Sequence, residues 1–213
     1  MDNLNAAIFI VSMLLFSFFA LQSVYLFIFS VAGHLRSSKK FQRSKQTGSF
    51  VIYIPSYRED AVIVDTTMAA LSLNYPAEKK KVVVIADGLQ QKTLECLRAM
   101  PIQVVEVSFE KSTKAKTLNE ALQQTKEMFD YALVLDADNI CADDFLLRLN
   151  EALQSGYQLV QGQRIAKNTG TVYALLDAIS EGINNHIFRK GHCALGLSCG
   201  GGRIGHGDGL PTV

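Results

Sequence analysis

The chain opens with a long apolar run and continues with alternating short and long hydrophobic patterns. Residues 6–33 are almost wholly apolar, and no Lys, Arg, Asp or Glu occurs between Asp2 and Arg36. An α-helix over 6–33 would be about 42 Å long, which is enough to cross a hydrocarbon core of about 30 Å. The pattern therefore predicts an N-terminal transmembrane helix within residues 1–35.

A cleaved signal peptide is the alternative interpretation of this run, because Ser30-Val31-Ala32 resembles a small-residue cleavage site. The apolar region is about twice the usual 7–15 residues of a signal peptide, and no positive charge precedes it. The pattern favours a retained helix. Removing the helix by cleavage would leave the rest of the chain without this anchor.

A basic cluster follows the apolar run and sets the predicted orientation. By the positive-inside rule, that side of the membrane is the cytoplasm. We expect a basic juxtamembrane linker over 36–49 that contacts anionic lipid head groups. The expected location is the cell (inner) membrane, single-pass, with the remaining domain cytoplasmic. The cluster consists of Arg36, Lys39, Lys40, Arg43 and Lys45.

From residue 50 onward, short β-branched runs alternate with stretches in which apolar residues recur every three or four positions. This alternation predicts strands joined by helices, and hence an α/β fold with a mostly parallel sheet flanked by helices. The predicted strands are 50–54, 82–86, 102–107, 131–135 and 158–160, and the predicted helices are 61–73, 91–100, 117–129, 143–154 and 171–189.

Charge and cysteine content narrow the class of protein. The chain has 21 basic and 20 acidic side chains, and five of the basic ones lie in the linker, so the remaining body is mildly acidic. No nucleic acid partner is expected for such a body. The four cysteines lack the close pairs of zinc sites or dense disulfide frameworks, which favours free thiols.

Carboxylates follow two of the predicted strands. In a parallel sheet, ligands bind beyond the carboxyl ends of the strands, where Asp87-Gly88 and Asp136-Ala137-Asp138 lie. In an extended backbone residues i and i+2 point to the same face, so Asp136 and Asp138 would converge on one cation. Mg²⁺ or Mn²⁺ with a diphosphate is the natural ligand of such a pair. No Gly-x-Gly-x-x-Gly follows the first strand, which speaks against a dinucleotide site.

Four segments in this order resemble the family 2 glycosyltransferases. These are inverting nucleotide-diphospho-sugar enzymes with a GT-A fold, and they include the cellulose, chitin and hyaluronan synthases. The resemblance extends over 50–200, and Arg58, Thr113 and Thr117 stand where the family usually has Asn, Gly and Ala. The four segments are 51–59, 82–88, 114–119 and 131–138.

The resemblance implies roles for individual residues. Tyr57, Glu59 and Asp87 would border the nucleoside, with Pro55 in the same donor-binding turn, and Lys114 would lie near the donor. Asp136 would face the ribose or the metal, and Asp138 the metal, which is Mg²⁺ or Mn²⁺. The implied activity is transfer of a sugar from a nucleotide-diphospho-sugar to a lipid-linked or polysaccharide acceptor at the membrane.

The later motifs of the family, including its acidic general base and a Gln-x-x-Arg-Trp segment, are missing from the sequence. The general base is therefore unknown and expected beyond the end of the chain, and 201–213 is a glycine-rich tail that could be out of frame. Two alternatives remain open. One is a polyprenyl-phosphate glycosyltransferase, and the other is a truncated, non-catalytic nucleotide-sugar-binding domain.

Overall fold

The computed structural model describes residues 3–35, 46–109, 112–163 and 170–197. The chain divides into two compact units, one comprising 42–154 and the other comprising 1–41 with 155–213. Part of the predicted linker and the glycine-rich tail lie outside the described residues.

The central unit is built on a parallel sheet of four strands in the order β3-β2-β1-β4. All three pairings are parallel, and the register of β1 with β2 places Tyr57 beside Asp87. The prediction of a parallel sheet is confirmed. The strands are β1 (Phe50–Tyr57), β2 (Lys80–Asp87), β3 (Gln103–Val107) and β4 (Tyr131–Val134).

Helices follow each strand and cover both faces of the sheet, so its central strands are apolar on both sides. On one face Tyr53, Val83 and Val105 pack with Ala121 of a helix. On the other face Ile52 and Val84 are fully buried. The helices of this unit are α2 (Ile63–Ser72), α3 (Gln91–Arg98), α4 (Lys114–Gln124) and α5 (Phe145–Gln154).

The boundaries of α4 differ from the predicted 117–129. The helix starts earlier because the Thr113 hydroxyl accepts a hydrogen bond from the Lys116 N–H at 3.3 Å and caps it. It ends at Gln124, and Phe129 packs against the core from the loop beyond. Phe129 thus continues the helical spacing of apolar residues without belonging to the helix.

The predicted strand over 158–160 is wrong. These residues form no strand, and Leu159 is 49% exposed. A strand requires a neighbour for its backbone hydrogen bonds, and none pairs with this segment in the described part of the chain. A segment as short as Gln158-Leu159-Val160 carries no information about such a neighbour.

The second unit contains the N-terminal helix α1 (Asn3–Leu35). The most apolar stretch of α1 has a mean hydropathy of 2.3, and none of that stretch is buried. By length and composition, α1 could therefore cross a membrane. A signal sequence near the N-terminus can have the same helical and apolar character.

The C-terminal part of α1 packs against a helical segment that follows the sheet unit. The Tyr25 hydroxyl and His192 Nε2 lie 2.6 Å apart, and His186 Nε2 lies 3.0 Å from the Ser30 carbonyl oxygen. A Cβ on Gly33 would come within 2.7 Å of the His186 carbonyl oxygen, so the close approach requires glycine. The segment consists of α6 (Val172–Ile183), a π-helix (Asn184–Gly191) and α7 (His192–Ala194), which covers the predicted helix 171–189.

The cysteines agree only in part with the expectation of free thiols. Cys96 and Cys141 are free, whereas Cys193 is disulfide-bonded. The expectation is wrong for Cys193, because spacing along the chain does not determine which sulfur atoms meet in space.

Candidate functional site

The predicted site residues come from loops at the carboxyl edge of the sheet. Because β1 lies between β2 and β4, the edge presents Asp87, then Tyr57, then Asp136 in order. This is the position at which open parallel sheets bind ligands. The sheet therefore brings together residues that are distant from one another in the sequence.

The turn after β1 carries an aromatic ring and a cation. Tyr57 is 55% exposed, and the guanidinium carbon of Arg58 lies 5.1 Å from the centre of its ring. Arg58 has φ 56°, in the left-handed region, and its N–H donates to the Asp87 carbonyl at 3.0 Å. Pro55, which was expected in this turn, instead lies within β1, two residues before its end and opposite Ile85, and is partly buried. The hydrogen bond from Arg58 fixes the turn to the end of β2.

Two neighbouring residues complete this turn. The Glu59 carbonyl accepts hydrogen bonds from the N–H groups of Val62 and Ile63 at 3.2 and 3.1 Å, which starts α2. The Asp60 carboxylate accepts the Gln90 N–H at 2.8 Å and so links this turn to the loop before α3. Hydrogen bonds from the Thr93 side chain and then from Gln90 lower the pKa of Asp60. Sequence reasoning missed Asp60, because its partner lies in another loop.

Asp87 is the buried carboxylate of the edge. It is 6% exposed, and the Ser112 hydroxyl donates a hydrogen bond to its Oδ2. The following Gly88 has φ 68°, and a Cβ there would lie 3.2 Å from the Arg58 Cγ. The backbone conformation therefore favours glycine, and any larger residue would also have to displace the Arg58 side chain slightly. Ser112 carries no sequence signal of its own and was not predicted.

Lys114 and Asp136 form an ion pair at the other end of the edge. Asn139 Nδ2 donates to the second Asp136 oxygen at 3.3 Å. Both charged side chains are about half exposed, at 51% and 40%, so the pair contributes little net stability. The structure thus brings Lys114 into contact with Asp136, a pairing that the sequence did not predict.

The backbone from Asp136 to Asp138 is not extended, contrary to the expectation from the sequence. β4 ends at Val134, and the Asn139 N–H donates to the Asp136 carbonyl at 3.0 Å, which closes a turn. Ala137 is buried at the centre of the turn, while Asp138 is exposed. The prediction of an extended backbone is wrong here because the pairing of β4 with β1 ends before Asp136. The last paired residue of β4 is Val134, opposite Tyr53, and the last hydrogen bond runs from the Leu135 N–H to the Tyr53 carbonyl.

The donor atoms of this turn suit a hard divalent cation that a ligand helps to bind. No group of three or more His, Cys, Asp or Glu side chains with metal-binding geometry occurs in 3–35, 46–109, 112–163 or 170–197. Mg²⁺ commonly uses one or two carboxylates and takes its remaining ligands from phosphate and water. Two carboxylates in one accessible turn fit that pattern. Burial raises the pKa of nearby Cys141 to about 11, so this thiol stays neutral and is a poor ligand at neutral pH.

The fold and the edge define an α/β protein with a cluster of acidic residues at the ends of its parallel strands. Residues 47–190 match the family described as Glycosyltransferase like family 2. The match covers more than half of the chain, which therefore belongs to this family and carries a family 2 glycosyltransferase domain. The predicted family is confirmed.

Known relatives agree with this assignment over part of their length. The cellulose synthase catalytic subunit (UDP-forming) of Pseudomonas fluorescens (strain SBW25) is 32% identical over 96 residues, which is 45% of this chain and 13% of the relative. The putative cellulose synthase 2 of Komagataeibacter xylinus is 28% identical over 141 residues, which is 65% of this chain and 9% of the relative. The matched part is thus a small fraction of these proteins.

A solved structure supports the fold. The mannosyltransferase PcManGT from Pyrobaculum calidifontis, in complex with GDP-Man and Mn²⁺, superposes with a TM-score of 0.54 at 19% identity. The match covers 70% of this chain and 46% of that protein. With the family assignment, this similarity confirms the predicted GT-A fold.

Proposed function

We propose that the protein binds a nucleotide-diphospho-sugar at the carboxyl edge of its sheet and transfers the sugar, with inversion, to an acceptor. The observation that carries this proposal is the order of groups along the edge. A buried carboxylate at Asp87, the Lys114–Asp136 pair and the exposed Asp138 follow one another in a family 2 chain.

The proposed roles follow the chemistry of each group. Asp87 accepts hydrogen bonds from the base or ribose, which a buried carboxylate fixed by Ser112 is suited to do. Tyr57 and Glu59 border the nucleoside at the carboxyl end of β1, and Pro55 lies within β1 two residues before Tyr57. Lys114, a flexible cation, contacts the donor phosphates.

We assign the proposed metal site to Asp136 and Asp138, with Mg²⁺ or Mn²⁺ as the ion. When bound, such an ion supplies positive charge to the departing diphosphate. Asp136 holds its position through Asn139, and Asp138 projects from an accessible turn. The similar mannosyltransferase was solved in complex with GDP-Man and Mn²⁺, which supports the same metal class for this chain.

The acceptor is proposed to be lipid-linked or polysaccharide. Two relatives are named as cellulose synthases, and α1 offers an anchor that would hold the domain at the cytoplasmic face of the cell membrane. Inverting transfer to a hydroxyl requires a general base. We assign no described residue to that role.

A second candidate function is transfer to a polyprenyl phosphate. A phosphate acceptor is already ionised at neutral pH and therefore needs no strong base for sugar transfer. The third possibility is a domain that binds the donor without turnover. Transfer of labelled sugar to lipid phosphate, to glycan or to neither distinguishes these three functions.

The metal assignment is tested by Asp138→Asn. Loss of one charged ligand is expected to weaken Mn²⁺-dependent UDP binding at least about tenfold in calorimetric titrations, equivalent to about 1.4 kcal/mol. The matched control is Asp143→Asn, which neutralises another exposed carboxylate in the same region. Equal affinity of the two variants at limiting Mn²⁺ would contradict the assignment.

A further inference from the structure

One buried hydroxyl links α2 to the turn between the two aspartates. Thr66 is 2% exposed, and its Oγ1 donates a hydrogen bond of 2.6 Å to the Ala137 carbonyl oxygen, 71 positions away. Threonine within a helix usually bonds its hydroxyl back to a carbonyl of the preceding turn. The neighbouring Thr67 does this, with a bond of 2.7 Å to the Ile63 carbonyl. Thr66 instead supports a different part of the molecule.

The accepting carbonyl lies at a point that sets the direction of Asp138. The Ala137 C=O and the Asp138 N and Cα belong to one planar peptide unit, so fixing the oxygen limits the rotation of that plane. The Asp138 side chain starts from this Cα. A hydrogen bond at Ala137 therefore restrains where the exposed carboxylate projects.

The two aspartates differ in how they are held. Asp136 is supported through its side chain by Lys114 and Asn139. The Asp138 side chain is exposed. The buried Thr66 hydroxyl restrains it only indirectly, through a hydrogen bond to the carbonyl of the preceding residue, Ala137. Thr66 lies on the packed side of α2, where Ile63 and Ala70 are also buried.

We propose that Thr66 is a positioning residue for the Asp138 carboxylate, and that its hydroxyl tunes the affinity of this turn for a divalent cation and a nucleoside diphosphate. This inference rests on the proposed metal site at Asp136 and Asp138. Thr66 touches neither ligand and acts through the Ala137 peptide.

The test uses three variants of the full chain in detergent. Thr66→Val keeps the shape and removes the hydroxyl, Thr66→Ser restores the hydroxyl, and Thr67→Val removes a hydroxyl that bonds only within α2. UDP is titrated by calorimetry at limiting and at saturating Mn²⁺. We expect Thr66→Val to weaken binding about five- to tenfold at limiting Mn²⁺, as loss of one hydrogen bond predicts. Thr66→Ser and Thr67→Val should stay within about twofold of the unchanged protein.

A second measurement requires no ligand. The Asn139 N–H closes the same turn on the Asp136 carbonyl, so its hydrogen exchange reports how well the turn is held. Exchange at Asn139 should be faster in Thr66→Val than in Thr67→Val. Equal exchange rates, or equal UDP affinity of the two valine variants, would overturn the positioning role.

The outcomes separate this inference from the proposed function. If Asp138→Asn weakens Mn²⁺-dependent binding and Thr66→Val matches Thr67→Val, only the role of Thr66 is wrong. If Asp138→Asn binds UDP with unchanged Mn²⁺ dependence, the metal site is wrong and the role of Thr66 is overturned with it.

Discussion

Arg58 adopts a backbone conformation that is unusual for its residue type. Its φ of 56° lies in the left-handed region, which Asn adopts far more readily than most residues. An Asn at this position would therefore satisfy the turn after β1 with less strain than Arg. In this chain Arg58 accepts the strained conformation and places its guanidinium over the Tyr57 ring.

The strain at Arg58 predicts a difference between two substitutions. Both Arg58→Asn and Arg58→Ala remove the stacking on Tyr57, but only Asn tolerates the left-handed conformation. We expect the Asn variant to be more stable than the Ala variant by about 1 kcal/mol, since that conformation costs about 1–2 kcal/mol for an ordinary L-residue. Urea unfolding followed by circular dichroism measures this difference. An Ala variant at least as stable as the Asn variant would show that the turn changes conformation.

At the residue scale, the sequence predicted which residues occupy the edge but not how they are held. Asp87, Lys114, Asp136 and Asp138 have recognisable positions after strands or in family segments. The supports of the edge, Ser112 on Asp87 and Thr66 on Ala137, involve partners 25 and 71 positions away. Single hydroxyls at that separation produce no periodic pattern, so they could not be predicted.

At the scale of elements, α4 carries Lys114 to the site, and its first turn depends on the Thr113 cap. The hydroxyl of Thr113 accepts a hydrogen bond from the Lys116 N–H at 3.3 Å. Glycine is also tolerated as a cap because it allows water to reach the free N–H groups. The first turn of α4 can therefore form with either residue.

The cap predicts different costs for two substitutions at position 113. Thr113→Ala should lower the free energy of unfolding by about 1 kcal/mol, while Thr113→Gly should cost only a few tenths. Urea titration of both variants measures the two costs. Equal destabilisation by Ala and Gly would mean that the hydroxyl does not cap α4.

Sequence patterns located the strands and helices of the sheet unit better than they located their ends. β-branched runs predicted β1 and β2 correctly, because both strands are buried on two faces and are largely apolar. The end of α4 and the absent strand over 158–160 depended on packing and pairing with distant residues. Such contacts are properties of the assembled sheet and are not encoded in local periodicity.

At the scale of the whole molecule, α1 should anchor the protein. Its exposed apolar surface extends along most of its length, as expected for a helix in contact with lipid. We expect the full chain to remain in the membrane pellet after alkaline carbonate extraction. Leu14→Arg, which places a charge within the apolar run at a cost of about 2.5–3.5 kcal/mol near the bilayer centre, should reduce that fraction. Complete release of the unchanged chain would contradict an anchor.

The measurement that tests the proposed donor site most directly is calorimetric titration of UDP, and in parallel GDP, into the detergent-solubilised chain with Mn²⁺ and then with chelator. We predict saturable binding of one of these nucleotides in Mn²⁺, and its loss when the metal is removed. Absence of binding by both nucleotides in a folded sample, or binding that survives chelation unchanged, would contradict the metal-dependent donor site.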